Sequence, residues 1–324
     1  MGRFVLRRLA HGAAVIFIAA SLAFLLVHLA PGDPYSSALD NMNLDPAAIA
    51  RWRAVYGLDQ PLPQQYLRFI GQLALGNLGP SLPSGRPASE ALAAAAPRTL
   101  LLMSTALVLS VVGGVVIGAW QATRRGSASD RIAGTASLIV ASLPEFWLGL
   151  VLLLVLAVKL QVFPSGGMTD PVMYQSYSLA GKLWDRARHL ALPALTLALL
   201  GTASIARYQR AAVLDVLPQD FVRTARAKGV SERRVLWHHT LRNALVPTIV
   251  LAGLSLPMLL GGAVFVERIF SWNGMGSLAT AAFAQRDYYV VVGAALLGAV
   301  LVVIGGILTD VVHAMIDPRV RTGR

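Results

Sequence analysis

The stretch "DFVRTARAKGVSERRVLWHHTLRNALVPT", residues 220–248, sets six basic side chains (Arg223, Arg226, Lys228, Arg233, Arg234, Arg242) beside two acidic ones, Asp220 and Glu232, inside a chain that is 56% hydrophobic. Its surroundings decide what this island is. Only 14% of the 324 residues are charged and the mean hydropathy is +0.61, whereas a soluble domain carries about a quarter charged residues. The composition is that of one polytopic, all-α membrane domain. A basic side chain at mid-bilayer costs roughly 2.5–3.5 kcal/mol, so burying six would cost on the order of 15 kcal/mol or more. The island therefore lies in water or against a partner.

Outward from the island, a spanning helix needs about 20 mostly apolar residues. Six segments meet that need, near 9–30, 99–121, 132–158, 190–207, 245–266 and 289–312. The first follows Arg3, Arg7 and Arg8 but is too long for a signal-peptide core and has no small-x-small cleavage site, so it is read as an uncleaved helix. The third contains "SLPEFWLG", where Pro144 is expected to kink the helix. With the N-terminus inside, the short inside segments hold 17 of the 28 Lys and Arg residues. That bias predicts six spans with both ends in the cytoplasm. It also accounts for the net charge of +12 by topology, leaving no reason to invoke nucleic acid.

The organisation expected is an N-terminal end and first span over 1–30, an extracytoplasmic insertion over 31–98, and a core of five spans over 99–324 with an inside loop at about 208–244. In the insertion, Asp45-Pro46 opens a helix that Gly57 ends, and a Pro-flanked second helix runs from about Gln64 to Leu75. No internal repeat is evident, which argues against a carrier built from duplicated halves.

Several chemistries are missing. None of the three lysines (Lys159, Lys182, Lys228) stands in a Gly-x-x-x-x-Gly-Lys-Ser/Thr context, so no ATP site is encoded. His238 and His239 are adjacent and face different sides of a helix, unlike a zinc pair. There is no Gly-x-Ser-x-Gly elbow and no cysteine. The chain reads as a non-enzyme with no cofactor or metal of its own. Glu145 is the one acid inside a span that raises a functional question. It either sits near water at the Pro144 break and tunes a cavity, or it serves a self-sufficient ion-coupled carrier or channel.

Within the island, Asp220 starts a short helix through Lys228 and Gly229 breaks it. Ser231 and Glu232 start a second helix to about Asn243, and Pro247 is expected to stop it. Ala225 and Ala227 put small side chains beside the corner, where another surface can approach. A basic segment resting on anionic lipid explains the charge but not the glycine corner.

These residues resemble the EAA loop of binding-protein-dependent ABC importer permeases, in the form of the dipeptide/oligopeptide/nickel family. Arg223-Thr224-Ala225 followed by Gly229 stands against the general Glu-Ala-Ala-x-x-x-Gly pattern, with the glutamate replaced. The resemblance continues, in the family's order, through "APGDP", "YGLDQPLPQQYLRF", "SLPEFWLGL", "VERIFSWNGMGSL", "RDYYVVVGAAL" and "DPRVR". The long segment after span one is similar to the B-type subunit. In "GNLGPS", Asn77 stands where the family usually has an acid.

The resemblance implies the type I ABC importer permease fold in a bacterial or archaeal cytoplasmic membrane. It implies that Arg223, Thr224, Ala225, Arg226, Ala227, Lys228, Gly229 and Val230 form a coupling helix that enters a cleft of a separate ATPase. The implied partners are a C-type permease subunit, two ATPase subunits or domains that bind ATP and Mg²⁺, and an extracytoplasmic solute-binding protein delivering di- or oligopeptides. Pro144 and Glu145 are candidates for a pathway or gate. Trp52, Tyr56 and Tyr66 are candidates for contact with the binding protein.

Overall fold

The computed structural model describes residues 2–29, 47, 54, 57, 59–81, 83–262 and 264–316, without side chains at 2–5, 254–262, 308 and 310–316. Among these residues every regular element is helical, and the one β-type pairing is an isolated bridge between Pro80 and Pro87. The helices are α1 (Gly2–Leu29), α2 (Leu62–Ala74), α3 (Ala88–Thr123), α4 (Ala128–Ser142), α5 (Glu145–Leu152), α6 (Leu179–Val216), α7 (Asp220–Ala227), α8 (Leu241–Gly262), α9 (Val264–Ile269), α10 (Met275–Ala284) and α11 (Tyr288–Ile316). A π-helical turn, Leu153–Lys159, continues α5, a 3-10 turn lies at Tyr174–Ser176, and a helical turn, Glu232–Arg234, runs through a second π-helical turn, Val235–Thr240, into α8.

Among the described residues, four helices are long and apolar enough to cross a membrane, over Leu6–Leu29, Ala88–Thr123, Leu179–Val216 and Tyr288–Ile307. A fifth candidate is the pair Ala128–Ser142 and Glu145–Lys159, bent by 108°. The bend is a proline effect. The ring of Pro144 excludes the preceding residue from helical backbone, and Leu143 is extended at φ −77°, ψ 139°. These five correspond to the first four and the last of the expected spans. The expected fifth, near 245–266, coincides with α8, whose side chains are described only to Gly253.

Two boundaries differ from the sequence expectation. The helix expected over 190–207 runs from Leu179 to Val216: Ser178 caps it by accepting from the Gly181 N–H at 3.3 Å, the buried Pro193 is carried within it, and it ends before Pro218. Pro247 does not stop a helix; α8 passes straight through it. A proline inside such a helix is tolerated where neighbouring groups re-satisfy the backbone. The next residue, Thr248, donates its hydroxyl to Gln209 Oε1 of α6 at 2.5 Å and holds this turn in place.

The chain divides into two compact units, residues 1–99 with 273–304, and residues 100–272 with 305–324. In the first, Ala88, Ala282 and Val290 form a core with Leu78, Leu278 and Tyr289 against it. Ser81 donates to Asp287 Oδ2 at 2.6 Å, and the same carboxylate caps α11 by accepting from the Val290 N–H at 3.4 Å. Asn77 serves the local turn, donating to Gln72 Oε1 at 2.8 Å and accepting from the Gly79 N–H at 3.0 Å.

In the second unit, α3 and α6 approach closely at glycines. A Cβ on Gly113 would lie 2.9 Å from Thr202 Oγ1, one on Gly114 would lie 2.5 Å from Ile205 Cγ2, and one on Gly118 would strike the carbonyl of Ala206. Helices in lipid gain no hydrophobic drive from association, so such small-residue contacts supply the adhesion. Gly118→Leu is expected to destabilise the chain by about 1–3 kcal/mol through overpacking, seen as a lower melting temperature in detergent. Gly298→Ala, where open space surrounds the position, is expected to leave it unchanged.

Candidate functional site

The island folds as a short amphipathic helix with one face turned into the protein. Gln219 is extended at the N-cap and Asp220 lies in the first turn of α7, where its charge complements the helix dipole. Val222 and Ala225, three residues apart, point inward and are 0% and 6% exposed. They join a core with Val115, Ala119 and Ala122 of α3, Val213 and Val216 of α6, and Val235, Leu241 and Ala244 at the foot of α8. Arg223, Thr224, Arg226, Ala227 and Lys228 are exposed on the other face.

The corner after α7 is a Schellman motif. The Val230 N–H donates to the Ala225 carbonyl at 3.2 Å and the Gly229 N–H to the Arg226 carbonyl at 2.9 Å. Gly229 takes φ +77°, with nothing within 4 Å of where a Cβ would sit. An L-residue is held off that backbone at a cost of about 1–2 kcal/mol, so glycine is selected by conformation and not by crowding. Val230 folds back onto the same core as Ala225. Across the corner, Arg226 Nε and Nη2 donate to the two oxygens of Glu232 at 2.9 and 3.3 Å. Both side chains are well exposed, so this pair fixes the shape more than it adds stability.

Two of the eight island residues singled out from sequence, Ala225 and Val230, therefore lie against the protein's own core. Ala225 was expected to face an approaching surface; it is small because α3 and α6 lie against it. The outward small positions are Ala227 and Gly229.

Glu145 is the first residue of α5, at the bend, and is half-buried. Its Oε1 is buried and has no hydrogen-bond partner among the described residues. Pro144 beside it is exposed. α5 packs on α6 and α9, with Gly149 next to Thr196, Ile269 and Phe270.

Trp52 and Tyr56 lie outside the described residues. Tyr66, in α2, is half-buried and engaged with α1. Its hydroxyl lies 2.7 Å from Ser21 Oγ, and its ring meets Phe24 edge-on at 5.3 Å. Gln65, one residue earlier, reaches His28 at 3.1 Å.

Sequence reading missed two polar connections. Arg210 of α6 donates from Nε and Nη2 to Asp130 Oδ1 and Oδ2, both at 2.8 Å. Asp130 also accepts from the Gly126 N–H at 3.0 Å, so the α3–α4 loop is tied to α6. Gln209 is fully buried, bonded to Thr248 as above. Neither pairing has a local signal, since the partners are 80 and 39 residues apart. The glycines of α3 were legible as Gly114-x-x-x-Gly118, a spacing that permits close helix approach.

Residues 114–322 match the family described as "Binding-protein-dependent transport system inner membrane component", and residues 1–84 match "Binding-prot-dependent transport system membrane comp, N-term". The chain is 39% identical over 321 residues to the oligopeptide transport system permease protein AppB of Bacillus subtilis. It is 39% identical over 334 residues to the di/tripeptide transport system permease protein DppB of Pseudomonas aeruginosa, and 34% identical over 336 residues to the dipeptide transport system permease protein DppB of Escherichia coli. Each alignment covers 99% of both chains. The chain belongs to this family of inner-membrane components and is a multi-pass permease of the ABC transporter class.

The two faces of α7 separate by substitution. Ala225→Leu overpacks the core and is expected to cost about 1–3 kcal/mol, visible as a lower melting temperature. Ala227→Leu on the free face is expected to leave the melting temperature within about 1 °C of the parent, since exposed substitutions rarely move stability.

Proposed function

We propose that this chain is a permease subunit of an ATP-driven importer that moves di- or oligopeptides across the cytoplasmic membrane by alternating access. The family match and the full-length relatives named as peptide permeases carry the transport reading. In the proposed topology α8 supplies the fifth of six spans, both ends lie in the cytoplasm, and the segment after α1 is extracytoplasmic. The charge bias of the sequence supports that orientation.

In this reading α7 is the coupling helix. The observation that carries it is the split between an anchored face (Val222, Ala225, Val230) and a free basic face (Arg223, Thr224, Arg226, Ala227, Lys228) turned at Gly229. A partner that grips the free face moves the packed ends of α3 and α6 with it, because a close-packed interior does not yield. The partner's closure shifts the permease between states only if its contacts differ between them. ATP and Mg²⁺ are then held by two ATPase subunits or domains, a C-type permease completes the pathway, and a solute-binding protein delivers peptide outside. Trp52 and Tyr56 remain the proposed contact for that protein, with Tyr66 anchoring the insertion to α1.

Glu145 Oε1, without a hydrogen-bond partner among the described residues, favours one further reading, that of a carrier needing no motor. Reconstitution separates the two. With ATPases and binding protein present, peptide uptake is expected to require ATP, and the chain alone is expected to move none. Ala227→Trp is expected to leave the assembly intact while uptake per ATP hydrolysed falls severalfold, because the docked contact no longer transmits the partner's closure. Flux through the chain alone, abolished by Glu145→Gln, would establish the carrier instead.

A further inference from the structure

At the ends of α3, α4 and α6 an open concavity is lined by Gln121, Asp130, Arg131, Thr135, Arg207 and Arg210, with Leu138 at its edge. Its charge is unbalanced. Arg210 uses Nε and Nη2 on Asp130, and that carboxylate is 5% exposed. Arg131 and Arg207 are exposed and carry no ion pair among the described residues. The net result is about two unneutralised guanidiniums facing one hollow. The same α4 surface carries exposed Ile132, Leu138 and Ile139, an apolar track leading away from the charges. On α3, Trp120 is 37% exposed and lies 4.9 Å from the Arg124 guanidinium, the amphipathic pairing expected at a membrane–water boundary.

A guanidinium fork fits a phosphate oxygen pair, and a hollow with apolar walls on one side fits a phosphate that carries acyl chains. We propose that this concavity is a binding site for the phosphate headgroup of an anionic phospholipid, held by Arg131 and Arg207 with its chains along Ile132, Leu138 and Ile139. Asp130 orients Arg210 at the floor, and the lipid ties α4 to α6 at the point where the α3–α4 loop is already tied. The site takes its leaflet from the topology proposed above, but lipid binding is read without transport, so either reading can fail alone.

The test uses the whole importer, purified and exchanged into nanodiscs of phosphatidylcholine with or without phosphatidylglycerol. Native mass spectrometry is expected to find phosphatidylglycerol retained on the parent complex in preference to phosphatidylcholine. Arg131→Gln with Arg207→Gln is expected to lower that retention about tenfold, while Arg124→Gln, outside the hollow, leaves it unchanged. Two results overturn the proposal: equal retention of the two lipids on the parent, or equal loss in the Arg124→Gln control. Displacement of the retained phosphatidylglycerol by an equal concentration of inorganic phosphate overturns the lipid as the source. If the double variant does not fold, the lipid comparison on the parent decides by itself.

Discussion

Val222 and Ala225 turned into the protein fix what α7 can do. An isolated eight-residue helix is marginal in water, so α7 owes its existence to burial against α3, α6 and the foot of α8. Each buried valine contributes about 1.5–3 kcal/mol, and the Schellman turn at Gly229 folds Val230 back to extend the same contact. With one face committed, the other is left free, and the basic residues that cannot enter the bilayer occupy it. A helix held this way moves with the spans beneath it rather than swinging on its own.

The spans beneath it are joined by different means. α3 and α6 approach closely at three glycines, Gly113 and Gly114 against the Thr202 and Ile205 side chains and Gly118 against the backbone of Ala206 and Arg210, and α6 is linked to α8 through Gln209 and Thr248. The Arg210–Asp130 fork adds the first turn of α4 to the set, at the opposite end of that helix from the 108° break that Pro144 forces between α4 and α5. Glycine contact, one buried hydroxyl and one bidentate ion pair thus converge on the helix that α7 rests upon. Family membership gives that arrangement its setting, an inner-membrane component of a binding-protein-dependent transport system.

Much of this was legible in the sequence, and what was not has physical causes. Spans and island follow from hydropathy and charge, which act locally. The break at Pro144 follows from a ring clash with its neighbour, equally local. Gly229 is legible for the same reason, since the turn needs a positive φ. The inward aim of Ala225 was not, because helix phase is fixed by what packs against it, and the packing residues lie about a hundred positions away on α3. Pro247 misled because its usual effect is cancelled by contacts with α6 that no local pattern encodes. Arg210 was counted only as one more inside charge, yet it is paired with Asp130.

The chain contains no cysteine, so single cysteines report contacts cleanly. The most direct measurement is cross-linking in the fully assembled importer, with a short thiol-reactive photo-cross-linker at Lys228→Cys on the free face and at Val222→Cys on the anchored face. Lys228→Cys should join to an ATPase subunit in high yield, while Val222→Cys should not react. An assembled, hydrolysing complex in which Lys228→Cys finds no motor subunit would contradict the role assigned to α7.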